Sequence, residues 1–430
     1  MLIIVACIVG VIITIFLGIP VAFSLGIWGI IGMVLIKGGI TSAMAVVPFA
    51  TFSDFMFTPL PLFIMMGVII TISGMGERIF ETFSKWLGRL PGGLAVATVW
   101  TNAMLAAAVG STSVCIATTS KMAIPEMEKR GYNSRLAMGA LCSSSGLAVL
   151  IPPSSTMVLY SVMTDISLGK LFMAGMIPGI VLAIILSLYI ITNCAIHPDL
   201  APPPPPSNWK DRISSLHRIW FLVVIIFFVL FTIYLGVATP TEAASLGTVA
   251  TMVLAILFFG SRLPQIRRIL SDTGVTYGMI AIIIVSATIF SYTMMIAGLP
   301  QIVTHWVASL EVNRWIVIII INLILILLGC VMDPICILLV TVPIFAPVVS
   351  ALGFDLVWFG IVNVVNFEIA VMTPPYGMNL FIMSGVLGVP TDEVVRGVMP
   401  FIVLMILFLV IVVAFPQLSL WLPSTMWAGR

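Results

Sequence analysis

The sequence predicts an all-α polytopic membrane protein built as an inverted-topology repeat, with two re-entrant helical hairpins and two broken helices. Three observations predict it. Apolar residues make up 61% of the 430-residue chain and charged ones 8%, against roughly 25% charged in a soluble domain. Runs able to cover a hydrocarbon core about 30 Å thick recur along the chain. Two motifs with doubled prolines, "IPPSSTMVLY" at 151–160 and "TPPYGMNLF" at 373–381, stand 222 residues apart.

The first half, residues 1–196, opens with apolar runs at 1–17, 21–36 and 58–73, read as scaffold crossings. The first has no basic leader region and no small-residue cleavage site, so it reads as a retained helix rather than a signal peptide. Gly26, Gly29 and Gly32 suit close helix packing better than binding. "GERIFETFSKWLGR" (76–89) places Ile79, Phe80, Phe83, Trp86 and Leu87 on one face, as an amphipathic helix along the cytoplasmic interface would. Residues 94–128 are too interrupted to cross. Two apolar arms flank the polar tip Gly110-Ser111-Thr112-Ser113, and an arm of about 16 residues reaches roughly 24 Å, enough for the bilayer midplane. A broken helix at 131–165, containing Pro152-Pro153, and a last crossing at 174–196 complete the half.

Residues 197–218 form a linker whose proline run favours an extended rod and cannot continue either flanking helix. The second half, 219–430, repeats the order: scaffold helices within 219–297, a hairpin at 315–350 turning at Gly329 to Pro334, a broken helix at 353–387 with Pro374-Pro375, and a last crossing at 398–415. The same offset aligns Pro125 with Pro347, Gly131 with Gly353, Gly175 with Gly397 and Pro178 with Pro400. Five crossings per half is an odd number, so the second half enters the membrane upside down. Thirteen Lys and Arg then fall on one side and four (Lys37, Lys170, Arg314, Arg430) on the other, with Lys121 unassigned. The rich side is expected to be cytoplasmic and both termini periplasmic.

Non-helical backbone at mid-membrane persists only where protein, water or a bound ion satisfies it. The two tips and two proline breaks are therefore expected to meet at mid-depth, their carbonyls free for a cation and their helix N-termini facing an anion. Ser154, Ser155, Thr156, Thr373 and Asn379 add side-chain oxygens or amides there. Asp333, the carboxylate in a tip, reads as an ion ligand, as the N-cap of the returning arm before Pro334, or as both. Glu242 reads as a dipole partner at a helix start; Asp54 and Glu368 receive no role. Six scattered cysteines lack a C-x-x-C pair and three histidines lie far apart, so no metal centre other than sodium is expected. There is no phosphate-binding loop for an ATP-driven pump and no Ser-His or Asp-Asp arrangement for a hydrolase. Neither an enzyme, nor an organic cofactor, nor a nucleic-acid partner is expected.

At "IPEMEKRGY", "IPPSSTMVLY", "LFMAGMIPG", "ATPTEAAS", "MDPICILLVTVPIFAPV" and "TPPYGMNLF" the sequence resembles the large membrane (M) subunit of tripartite ATP-independent periplasmic (TRAP) transporters, from about residue 10 to 415. The resemblance implies an elevator-type, Na⁺-coupled importer of organic anions such as C4-dicarboxylates or sialic acid, with at least two coupled ions, in the bacterial inner membrane. It implies two partners, a small four-helix membrane (Q) subunit and a periplasmic substrate-binding protein, besides membrane lipid. One Na⁺ is expected among Gly110, Ser111, Ser113, Gly146, Val149, Ile151 and Pro152. A second is expected among Gly329, Met332, Asp333, Met372, Thr373, Pro374 and Gly377. Ser154, Ser155, Thr156, Tyr376 and Asn379 are the expected substrate contacts, Tyr376 being larger than the family's usual residue. Sialic acid is the preferred substrate; a symporter that needs no binding protein and a passive anion channel are the alternatives.

Overall fold

The computed structural model describes residues 2–39, 42–53, 55–202, 208–259, 263–309, 312–330, 332–375 and 377–426. Asp54, Tyr376, Arg262, Arg430 and most of the proline run (203–207) lie outside the described residues, so the expectations attached to them are not addressed below. Within the described residues every regular element is a helix.

The first half contains α1 (Leu2–Phe16), α2 (Val21–Lys37), α3 (Ala43–Ser53), α4 (Pro59–Ile72) and the amphipathic α5 (Met75–Leu87). It continues with the hairpin α6 (Gly93–Val109) and α7 (Thr112–Lys129), the broken helix α8 (Ser134–Ser145), α9 (Leu147–Leu150) and α10 (Ser155–Thr164), and α11 (Leu168–Ile196). After α12 (Trp209–Leu216) in the linker come α13 (Trp220–Tyr234), α14 (Pro240–Phe259), α15 (Leu263–Ile296) and α16 (Leu299–Ser309). The second hairpin is α17 (Arg314–Gly329) and α18 (Pro334–Ala351), followed by the broken helix α19 (Leu356–Met372) and α20 (Met378–Leu387), then α21 (Thr391–Ala414) and α22 (Gln417–Ser424).

The repeat is visible in the helix boundaries themselves. Shifting α7 by 222 residues reproduces both ends of α18, and shifting the span from α8 to α9 reproduces both ends of α19. The caps coincide too. Asn133 accepts from the backbone N–H groups of Arg135 and Leu136, and Asp355, its counterpart, accepts from those of Val357 and Trp358. Both Pro-Pro bonds are cis. Residues 77–87 of α5 map onto α16, so each half sends an amphipathic helix into its hairpin.

Among the described residues six helical segments are long and apolar enough to cross a membrane, eight if the bent pairs α8–α10 and α12–α13 each count as one span. The ten crossings expected from the sequence leave out α18 and add α1, α2 and the broken α19–α20. α1 and α2 have 15 and 17 residues, about 22 and 26 Å at 1.5 Å per residue. α18 passes on length, yet it turns back on α17 through four residues and packs against it. Connectivity, not length, marks it as a hairpin arm.

Two sets of helices pack mainly among themselves. α2 lies along α15, α4 along α14 and α15, and α13 along α14. The hairpins pack on the broken helices, α6 also on α11, and α21 packs on the broken helices α8, α19 and α20. The α2–α15 crossing depends on small residues: a Cβ on Gly29 would lie 2.9 Å from the backbone nitrogen of Phe290, and Thr293 Oγ1 donates to the Gly29 carbonyl at 2.8 Å. The glycine series is thus a packing device.

Candidate functional site

α6 ends where Gly110 enters the left-handed region (φ 62°), its N–H donating to the Ala106 carbonyl, a conformation a Cβ would oppose. The freed chain turns at Ser111, and α7 begins at Thr112. The tip lies against the first break: a Cβ on Gly110 would stand 2.7 Å from the Pro153 carbonyl oxygen, and Ser155 Oγ donates to the Gly110 carbonyl at 3.1 Å. In the second half Gly329 packs against Ala370 of α19, so closely that a Cβ there would overlap the Ala370 methyl.

Both tips and both breaks border one cavity of about 80 Å³. Of the expected ion ligands, Gly110, Ser111, Ser113, Val149 and Asp333 line it; of the expected substrate contacts, Ser155, Thr156 and Asn379 do. The N-terminal residues of α7, α10, α18 and α20 all lie on its wall. Four helix N-termini, each carrying about half a positive charge, therefore face the same space as two carboxylates, Asp333 and Glu368. No lysine, arginine or histidine lines it among the described residues.

Other expected residues lie behind the wall. Ser154 is buried and caps α10, its Oγ accepting from Met157 N. Its hydroxyl is spent on the helix and is not on the cavity wall. Thr373 Oγ1 donates to the Ile369 carbonyl at 2.6 Å, within its own helix. The Ile151 side chain packs against Gly179 on the side away from the cavity. Gly146, Pro152, Gly329, Met332, Met372, Pro374 and Gly377 shape the tips and breaks without lining the space. Asp333 is an N-cap, with Oδ1 accepting from Ile335 N at 2.9 Å, and also borders the cavity.

Two features escaped the sequence reading. Glu368, 3% exposed, accepts from Thr112 Oγ1 at 2.8 Å through Oε1, while Oε2 has no hydrogen-bond partner among the described residues. An acid inside the apolar run "VVNFEIAVM" was itself the signal. The second is a pair of asparagine braces. Asn102 of α6 donates to Ser144 Oγ at 2.8 Å and accepts from Thr119 Oγ1 at 2.6 Å, tying both arms of the first hairpin to α8. In the second half Asn366, the repeat counterpart of Ser144, donates to Asn322 of α17.

With this geometry in place, comparison with known proteins becomes specific. The family described as "Tripartite ATP-independent periplasmic transporter, DctM component" matches residues 8–418. The chain belongs to that family. It is 32% identical to the C4-dicarboxylate TRAP transporter large permease protein of Pseudomonas aeruginosa over 94% of each chain. It is 28% identical to the sialic acid TRAP transporter large permease protein of Vibrio cholerae, over 95% of this chain and 96% of that one. Among solved structures, the crystal structure of the Alcanivorax borkumensis YdaH transporter superposes with a TM-score of 0.63 at 10% identity, covering 89% of each chain; at that identity the likeness speaks for the fold. A TRAP permease is a membrane transport component, not an enzyme.

Proposed function

We propose that this permease carries out secondary active uptake of an organic anion coupled to at least two Na⁺, by an elevator movement. In this reading a separate small membrane subunit completes the complex, and a periplasmic binding protein delivers the substrate. One observation carries the reading: four positive helix ends and two carboxylates converge, at two helix breaks, on a cavity with no basic side chain among the described residues. Carbonyls and carboxylates there suit small cations, and the N-termini of α10 and α20, with Ser155, Thr156 and Asn379, suit an organic carboxylate or sulfonate.

The cavity's 80 Å³ is small beside the roughly 300–1,000 Å³ of ordinary ligand pockets, so binding requires the tips and breaks to part. Movement of the hairpin set against the scaffold fits the open grooves of about 600 and 650 Å³ that lie along their boundary, beside α15 and α18 and beside α11 and α13. In this reading the basic side is cytoplasmic and both termini are periplasmic.

Energetics set the ion count. Each Na⁺ entering across 100 mV contributes about 2.3 kcal/mol, so two give about 4.6 and leave about 2.3 after a monoanion climbs against the field. That supports roughly fortyfold accumulation from voltage alone, whereas one ion leaves almost none. The test is uptake into vesicles by the reconstituted complex, with a panel of C4-dicarboxylates, sialic acid and sulfonates, with and without a cognate binding protein. Expected are strict Na⁺ dependence for every substrate and, for a monoanion, inward positive current; a dicarboxylate taken up with two Na⁺ moves no net charge. Electroneutral uptake of a monoanion such as sialic acid removes the two-ion reading, undiminished uptake without the binding protein replaces it with a self-sufficient symporter, and ion current without Na⁺ points to a channel. The relatives' names span several organic acids, so the panel, not identity, decides between sialic acid and a dicarboxylate.

A further inference from the structure

Glu368 stands on the second repeat's broken helix, yet its carboxylate lies against the first repeat. Thr112 at the first hairpin tip donates to Oε1, and a Cβ on Gly146, at the first break, would lie 2.7 Å from Oε2. The offset of 222 residues that relates the halves maps Glu368 onto Gly146 itself, and Asp333 onto Ser111. Equivalent positions of the two halves thus meet face to face, with room for one side chain. Both acids of the cavity come from the second half, and the first half contributes a glycine and a serine in their places.

This asymmetry bears on the two proposed ion sites. The second contains Asp333. The first, from Gly110, Ser111, Ser113, Gly146, Val149, Ile151 and Pro152, offers neutral oxygens alone. A monovalent cation so held, away from water, keeps an uncompensated charge, and a buried carboxylate with no positive partner is costly for the same reason. Glu368 Oε2 is buried and unpartnered beside that site, and no basic side chain lines the cavity among the described residues. Asn379 Nδ2, the other fully buried side-chain polar atom without a partner among the described lining residues, is an amide and cannot cancel a charge.

We infer that Glu368 reaches across the repeat interface to supply the negative charge of the first sodium site, with the Thr112 hydroxyl holding Oε1 so that Oε2 faces the ion. The inference rests on the sodium-coupled reading. It also gives each sodium one carboxylate, and it links the first hairpin tip to the second broken helix through the ion itself.

The test titrates Na⁺, with K⁺ as the ionic-strength control, against the thermal unfolding midpoint of the purified full chain, comparing wild type, Glu368→Gln, Glu368→Asp and Thr112→Val. Glutamine keeps the shape and the oxygen that accepts from Thr112 but loses the charge; aspartate keeps the charge on a shorter arm. The half-saturating Na⁺ concentration is expected to rise about tenfold or more in Glu368→Gln, from loss of a close opposite charge, and by less in Glu368→Asp and Thr112→Val. Glu368→Gln responding to Na⁺ as wild type does, or responding better than Glu368→Asp, overturns the assignment, because a merely structural role favours the closer shape. A wild type stabilised equally by Na⁺ and K⁺ instead removes the sodium reading, a result distinct from either.

Discussion

Asp333 caps α18 and borders the cavity, and the two roles can be separated because asparagine caps a helix about as well as aspartate. Asp333→Asn is expected to unfold within about 0.5 kcal/mol of wild type while its Na⁺-driven uptake falls at least about tenfold. Asp333→Ala loses both, with about 1 kcal/mol of cap stability. Chemical denaturation beside vesicle uptake distinguishes them; equal loss of stability in the two variants shows that the oxygen is not what caps. Ser154 is the contrasting case. Its hydroxyl caps α10 from behind the cavity wall, so Ser154→Ala should cost about 1 kcal/mol and leave the Na⁺ midpoint unchanged, and Ser111→Ala, on the wall, should move that midpoint. The sequence placed both serines at the site because it could mark where the helix breaks but not which way each hydroxyl turns. Glu368 was passed over for a related reason: its partner Thr112 lies 256 positions away, a pairing that only the meeting of the two halves creates.

Among the elements, α2 and α15 make the scaffold's largest contact, and Gly29 sets their separation. Gly29→Ala places a methyl 2.9–3.0 Å from the Phe290 backbone, and overpacking of this kind costs about 1–3 kcal/mol. Thermal unfolding should register the loss with the Na⁺ midpoint unmoved; a shifted midpoint means the scaffold and the ion sites are not separable. α5 and the linker helix α12 are tied more weakly. Glu81 is bonded to Lys85 at 2.7 Å and to Arg218 at 3.0 Å, and Arg212 Nε donates to the Lys85 carbonyl. The Lys85 hydrogen bond, with the nearby Arg218 charge, holds the Glu81 carboxyl below its usual range against some desolvation. A depressed carboxylate stabilises above its unfolded pKa, near 4.3, and loses that contribution as pH falls through its lower folded value. For a half-exposed pair the effect is at most about 1 kcal/mol, so Glu81→Ala should flatten the acid limb of the stability curve slightly. Hydropathy found most of these elements but misjudged others. It opened the run at 275, whereas α15 begins at Leu263, because Gln265, Arg267, Arg268 and Asp272 mask twelve residues of helix. α3, with Pro48 inside, was missed because its 11 residues are apolar but too short to register, and α12, in a linker read from its prolines, because its 8 residues are both short and polar.

At the scale of the whole molecule, the order of hairpins, broken helices and last crossings was legible because a duplicated sequence carries its own control: a break that recurs at a fixed offset is a feature of the fold. The packing of the two halves was not legible, since nothing in either copy marks Gly146 and Glu368 as neighbours. Whether the hairpins travel against the scaffold is the mechanical question this arrangement poses. Ser291 of α15 and Ile344 of α18, both half-buried, line one cavity of about 600 Å³ across that boundary, and the six native cysteines are buried, so cysteines introduced there can be addressed selectively. If α18 moves with the substrate, joining Ser291→Cys to Ile344→Cys with a short bifunctional reagent arrests the carrier in one position. Uptake should fall below about a tenth of the reduced protein's, while Na⁺ binding by thermal shift persists, because the ion sites move as a body with the hairpin, and cleavage of the link should restore uptake. Fully cross-linked protein that still transports at its normal rate fixes α18 to the scaffold, and transport would then have to proceed by opening the tips alone.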